Sequence, residues 1–123
     1  MIRAKQKELK GPKIRYPYDV GFEIARFAAK GIHEFRKSKR YGCPSGITPE
    51  EWEEILEQME WSLSEVGNDF PHDPYNMAWD YFWRHKDATK PNYDDYREEV
   101  EKYKQKIDEG LHTFASRICD LWD

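Results

Sequence analysis

The chain is poor in the materials that mark several large protein classes. Hydrophobic residues reach only 38%, below the ~45–50% of an average globular chain. No apolar run approaches the ~20 residues of a membrane-spanning helix. The basic start is not followed by an apolar leader core, so neither membrane insertion nor secretion is expected. Two cysteines, Cys43 and Cys119, cannot build a disulfide framework and point to a reducing cytosol. Glycine and proline, seven each, form no repeat, linker or low-complexity tract. The Gly-rich phosphate loop, the Gly-x-Ser-x-Gly elbow and the Cys-x-x-Cys pair are all missing. These absences leave a small non-secreted domain with no recognisable catalytic signature.

What the chain does have is rings and charge. Five Trp, eight Tyr and six Phe in 123 residues argue against disorder, because disordered chains are poor in aromatics. Charge is divided unevenly: residues 1–42 carry 12 Lys/Arg against 4 Asp/Glu, whereas residues 43–123 carry 8 against 20. A basic third is joined to an acidic remainder. The length fits one domain, residues 1–123, with residues 1–12 read as a mobile basic arm.

Apolar periodicity predicts helices. Gly11-Pro12 and Pro17 keep the chain extended up to Tyr18, with weak support for a strand near Ile14–Tyr18. Asp19 is placed to cap a helix running to about Arg40. Its apolar positions Val20, Ile24, Phe27, Ala28, Gly31 or Ile32, and Phe35 predict one buried face. Thr48-Pro49-Glu50-Glu51 is a helix start, with Thr48 as N-cap, Pro49 at the first position and Glu51 completing a capping box. Trp52, Ile55, Leu56, Met59, Leu63 and Val66 form the stripe of this second helix, and Gly67-Asn68 ends it. Residues 75–86 predict a short helix, and residues 87–91 a break. From Asn92 to Trp122, Tyr93, Tyr96, Val100, Tyr103, Ile107, Leu111, Phe114, Ile118 and Leu121 recur at three and four. That span predicts a rod of roughly 45 Å. The expected fold is all-α: a three- or four-helix bundle with a long C-terminal helix, dimeric through that helix or the aromatic segment.

The order of landmarks supports a kinship. Pro17-Tyr18-Asp19 leads into an amphipathic helix, Tyr41-Gly42 forms a turn, Glu50-Glu51-Trp52-Glu53-Glu54-Ile55-Leu56 follows, and Gly110-Leu111, Phe114-Ala115 and Leu121-Trp122-Asp123 close the chain. The series resembles a family of small phage-encoded helical proteins of unassigned function, over about three-quarters of the chain. Its shared positions are core and capping residues. The resemblance implies a phage origin and work in the cytoplasm of an infected bacterial host, and carries over no catalytic residue.

Candidate chemistry is thin. Glu109 and His112 have a helical ligand spacing, but a di-iron bundle needs a second such pair and two further inward glutamates. Cys43 lies in a Gly-Pro loop without an oriented base; Cys119, beside Ile118, reads as a small core residue. His33 and His72 are lone histidines suited to surface or cap roles. The protein therefore reads as a non-enzyme with no cofactor and no metal. Glutamates 50, 51, 53, 54, 57 and 60 form either a solvated helix face or a mimic of nucleic-acid phosphates. The Arg36–Arg40 cluster either holds phosphates or is drawn to the acidic helices of its own fold.

The segment from Tyr75 to Lys86 is the least ordinary. Tyr75, Ala78, Trp79 and Phe82 fall on one face while Met77, Tyr81, Trp83 and Arg84 cover others, more than a short helix buries in a monomer. Trp61 lies about 160° from the centre of its helix stripe and is expected to cover a neighbouring helix or a subunit contact. The leading expectation is a counter-defence protein that sequesters a small anionic, nucleotide-type ligand. Tyr75, Trp79 and Trp83 would stack on a base and Arg36, Arg40 and Arg84 would hold phosphate. The alternatives are inhibition of a host protein through the same rings or the glutamate face, and a self-associating scaffold. Nucleic acid and membranes are not expected partners.

Overall fold

The computed structural model describes residues 19–38 and 42–121. The basic arm, the candidate strand near Ile14–Tyr18, Arg40 and Trp122 lie outside them. Four helices follow in order: α1 (Val20–Ser38), α2 (Pro49–Gly67), α3 (Pro74–Arg84) and α4 (Tyr93–Arg117). A 3-10 turn, Ile118–Asp120, ends the described chain. Among the described residues there is no strand, and no helix is long and apolar enough to cross a membrane. The architecture is an all-α bundle. The long C-terminal rod tightens into the 3-10 turn after Arg117 rather than running straight to Trp122.

α2 is the centre, packed by α1 on one side and α4 on another. Its start is the one expected: Thr48 Oγ1 accepts the Glu51 N–H at 3.1 Å, and Pro49 occupies the first position where no N–H is needed. Trp52, Leu56, Met59 and Leu63 are buried as its stripe predicts, joined by Ser62 and Glu65. The Trp52 indole is fully enclosed and its Nε1–H has no protein acceptor. α3 begins under Asp73, whose carboxylate accepts the Tyr75 and Asn76 N–H groups at 2.8 and 3.1 Å. α4 begins under Asn92, which accepts the Asp94 N–H.

Two glycines allow the helices to approach. A Cβ on Gly110 would overlap Ser62 on α2, so the α2–α4 crossing depends on its missing side chain. A Cβ on Gly67 would lie 2.7 Å from Arg26 Cγ and 2.9 Å from the Arg26 backbone nitrogen. Gly67 therefore serves the α1–α2 approach, and the left-handed turn that follows is made by Asp69 and Phe70, with φ of 60° and 56°. That conformation is costly for a ring-bearing residue. It is held by the Phe70 N–H donating to the Glu65 carbonyl at 2.7 Å and by Phe22 meeting the Phe70 ring edge-on.

The face of α1 that packs inward corrects the sequence reading. Ala25, Ala29 and Ile32 are buried against the core, whereas Ile24 and Phe27 are each 58% exposed and Val20 and Gly31 are exposed too. Small side chains let α1 lie close on α2, so the bulkier stripe turns out. Cys119 is likewise exposed rather than a core residue.

Candidate functional site

The inward stripe of α1 runs Ala25, Ala29, Ile32 and continues, one turn on, at Arg36. This spacing turns the guanidinium toward α2, where Glu53, Glu57 and Glu60 recur at four and three along the facing side. Arg36 Nη2 lies 2.7 Å from Glu53 and 3.1 Å from Glu57, and Nη1 lies 3.1 Å from Glu60. His33 Nδ1 reaches the other Glu60 oxygen at 3.1 Å. Burial opposes the Arg36 charge, but the bond to Glu53 and the fields of Glu60 and Glu57 outweigh it and hold its pKa above the ordinary value. Half of the six glutamates thus serve an internal ion-pair network, and Arg36 is engaged by its own fold.

A second polar cluster locks α2 to α4. The Glu65 carboxylate, 3% exposed, accepts the Tyr103 hydroxyl at 2.7 Å and the His72 backbone N–H at 3.1 Å, and it faces His72 Nδ1 at 2.9 Å. The sequence pattern marks Tyr103 only as an apolar stripe position. Its partner, a glutamate on α2, carries no sequence signal that separates it from the solvent-facing ones. Burial first, then the Glu65 carboxylate, raises the Tyr103 phenol well above its usual range. Trp61 covers α4 as expected, meeting Tyr103 edge-on at 5.8 Å beneath the Lys106 ammonium, 4.1 Å from the indole centroid.

The aromatic segment forms α3, which has no buried residue and packs on α4. Tyr75 makes the join: its ring meets Tyr93 edge-on at 5.2 Å and Tyr96 at 6.1 Å. Trp79 and Phe82 are half-buried, and Trp79 stacks on Trp83 at 5.9 Å with an interplanar angle of 27°. Lys90 lies 5.8 Å from the Trp79 ring centroid. Trp83 is 75% exposed, and Met77 and Tyr81 are more than half exposed. Arg84 pairs with Asp80 on the open surface at 3.3 Å.

Four of the six residues expected to form a ligand site, Tyr75, Trp79, Trp83 and Arg84, therefore share one helix. Arg36 is not brought to them: α1 and α3 make no approach of their backbones within 8 Å. Arg40 falls outside the described residues. The remaining candidates are dispersed. Cys43 donates its thiol to the Ile47 carbonyl, and His112 and Glu109 are both exposed. Among the described residues no three His, Cys, Asp or Glu side chains gather as metal ligands. The fold presents α3 on a base of tyrosines from α4, with Trp83 stacked on Trp79 along one side and Met77 and Tyr81 exposed on the other. Comparison with protein-family models, with curated proteins and with solved structures finds no match to this chain.

Proposed function

We propose that the chain is a non-enzymatic binding protein that captures a protein partner through α3. One observation carries this reading: an 11-residue helix with no buried residue holds Tyr81 and Met77 out toward solvent on the side of Arg84, and Trp83 out on the opposite side. Tryptophan, tyrosine and arginine are the side chains that dominate protein interfaces when a partner desolvates them. Tyr75, wedged against Tyr93 and Tyr96, fixes the helix so that the outer rings need little ordering on contact. On the resemblance to small phage-encoded proteins, the partner is a protein of a bacterial host. The work would then be counter-defence in the host cytoplasm.

The test is pull-down from bacterial lysate, followed by calorimetry with the purified partner. Trp83→Ala and Tyr81→Ala should each weaken binding at least tenfold without lowering the melting temperature. Unchanged capture by both variants would remove α3 as the surface.

A second reading, sequestration of a nucleotide-type ligand, draws support from the Trp79–Trp83 stack with Lys90 over the Trp79 ring. Indole faces next to cations suit a base and its phosphates. Arg36, held by three carboxylates, has no part in this version. Calorimetry against a panel of cyclic and ADP-ribose-type nucleotides decides it, and the absence of heat with every member would discard it.

A further inference from the structure

α3 is tied to the bundle at few points. The buried apolar residues, from Ala25 to Ile107, come from α1, α2 and α4, and α3 supplies none of them. Its backbone comes within 8 Å of α4 and of no other helix. Several of its contacts are local: Asp73 caps it, Asn76 Nδ2 donates to the Phe70 carbonyl at 3.3 Å, and Lys90 from the following loop lies over Trp79. Beyond these, the polar and ring contacts of residues 71–91 with the bundle fall in two places. One is the Tyr75 ring against Tyr93 and Tyr96 at the start of α4. The other is Glu65 of α2, which accepts the His72 backbone N–H and faces the His72 ring just ahead of the helix. The joint is incompletely packed, for a cleft of about 270 Å³ lies between Phe70, Asp73 and Asn76 on one side and Tyr103, Ile107 and Asp108 on the other.

Three features ease detachment. Asp69 and Phe70 are held left-handed where the chain leaves α2, and strain of that kind is released when the segment lets go. The Tyr103 hydroxyl stays bonded to Glu65 after His72 leaves, so the enclosed carboxylate keeps a donor. Finally, α3 has 11 residues, and a helix shorter than ~12–15 residues is marginal by itself in water. Once off α4, it melts.

We infer that residues 71–91 form a flap that leaves α4 and melts as one unit while α1, α2 and α4 stay packed, with Glu65 as its catch. The closed form is the major one, and opening takes less free energy than unfolding the whole bundle. Opening frees Tyr75 and uncovers Tyr96 and the His72 side of Glu65, which are half-buried or buried while the flap is shut. The molecule thereby holds a second face, built of tyrosines and one carboxylate, that is shown only on opening. The flap stands whether or not α3 captures a partner, because its test reads the free protein.

Native-state hydrogen exchange of the full chain, followed at rising urea below the unfolding transition, provides that test. Relative to unstructured rates, amides of residues 77–84 should exchange about tenfold or more faster than those of residues 56–63 on α2, and with a weaker dependence on urea. Gly110→Ala disturbs the α2–α4 crossing, which the open and closed forms share. It should speed exchange at 56–63 and leave 77–84 unchanged. His72→Ala weakens only the closed form. It should speed exchange at 77–84 about fivefold, a modest factor because the His72 side chain is 65% exposed. Equal urea slopes for the two sets, or an equal response of both to Gly110→Ala, would mean that α3 melts only with the bundle, and would overturn the inference. Amides 77–84 exchanging like an unstructured chain would overturn it too, as would their indifference to His72→Ala, which removes Glu65 as the catch. Were Gly110→Ala to misfold, the urea slopes and His72→Ala decide.

Discussion

The Tyr103 hydroxyl on α4 donates to the Glu65 carboxylate near the end of α2 across 2.7 Å. This contact joins two helices 38 positions apart in the chain, and the same carboxylate holds the turn that carries His72. A glutamate so enclosed depends on its donors. Tyr103→Phe should therefore cost about 1–2 kcal/mol, the loss expected when a buried acceptor forfeits one partner. Glu65→Ala should cost more, about 3 kcal/mol, because it strands the phenol and the His72 N–H and frees the left-handed turn. Urea denaturation of the two variants checks both the size and the order.

Alkaline pH should act on the same contact. Tyr103 has its pKa raised by burial and by Glu65, so the folded state favours the protonated phenol. Its contribution is fully present below the ordinary tyrosine value of 10.0. It is lost as pH rises above that value toward the raised one. Stability measured from pH 9 upward should begin to fall near pH 10, and Tyr103→Phe should flatten that fall. Absorbance at 295 nm should show one phenol ionising after the others in the wild type and not in the variant.

Glycines in similar helical settings should respond oppositely to alanine. Gly110→Ala should destabilise by about 1–3 kcal/mol, since the added methyl overlaps Ser62 at the α2–α4 crossing. Gly21→Ala, where the methyl meets nothing within 4 Å, should stabilise by about 0.5–1 kcal/mol through reduced chain entropy. Paired melting curves decide; equal effects would mean that the crossing has room to relax.

Arg36→Met should lower stability by about 1 kcal/mol at low salt, with a smaller deficit at high salt, because its carboxylate partners are partly exposed. Binding of nucleotide-type ligands, if any occurs, should be unaffected by this change. A variant that kept its stability but lost a ligand would return Arg36 to the binding surface.

Much of this was readable from the chain, for reasons that differ by element. Thr48-Pro49 announced α2 because capping is local chemistry, settled within four residues. The α4 stripe was legible from Val100 through Ile107 because a single face is buried there. The buried side of α1 was not, since Ile24 and Phe27 outrank Ala25 and Ala29 in apolar size, while close packing on α2 favours the smaller pair. The clue lay in the 4-3-4 spacing of Ala25, Ala29, Ile32 and Arg36, which also predicts where the arginine goes. Of the candidate site, the aromatic segment stood out by composition alone. Whether Arg36 met it depended on which helices touch, a long-range property that no short motif encodes.

The enclosed indole of Trp52 and the open one of Trp83 are the two extremes among the described tryptophans, with Trp61 and Trp79 between them. Trp52 sits enclosed in the bundle core and should emit at short wavelength, shielded from acrylamide, while Trp83 should emit further to the red and quench readily. Loosening of the bundle centre and engagement of the α3 surface can then be followed separately in one unlabelled sample.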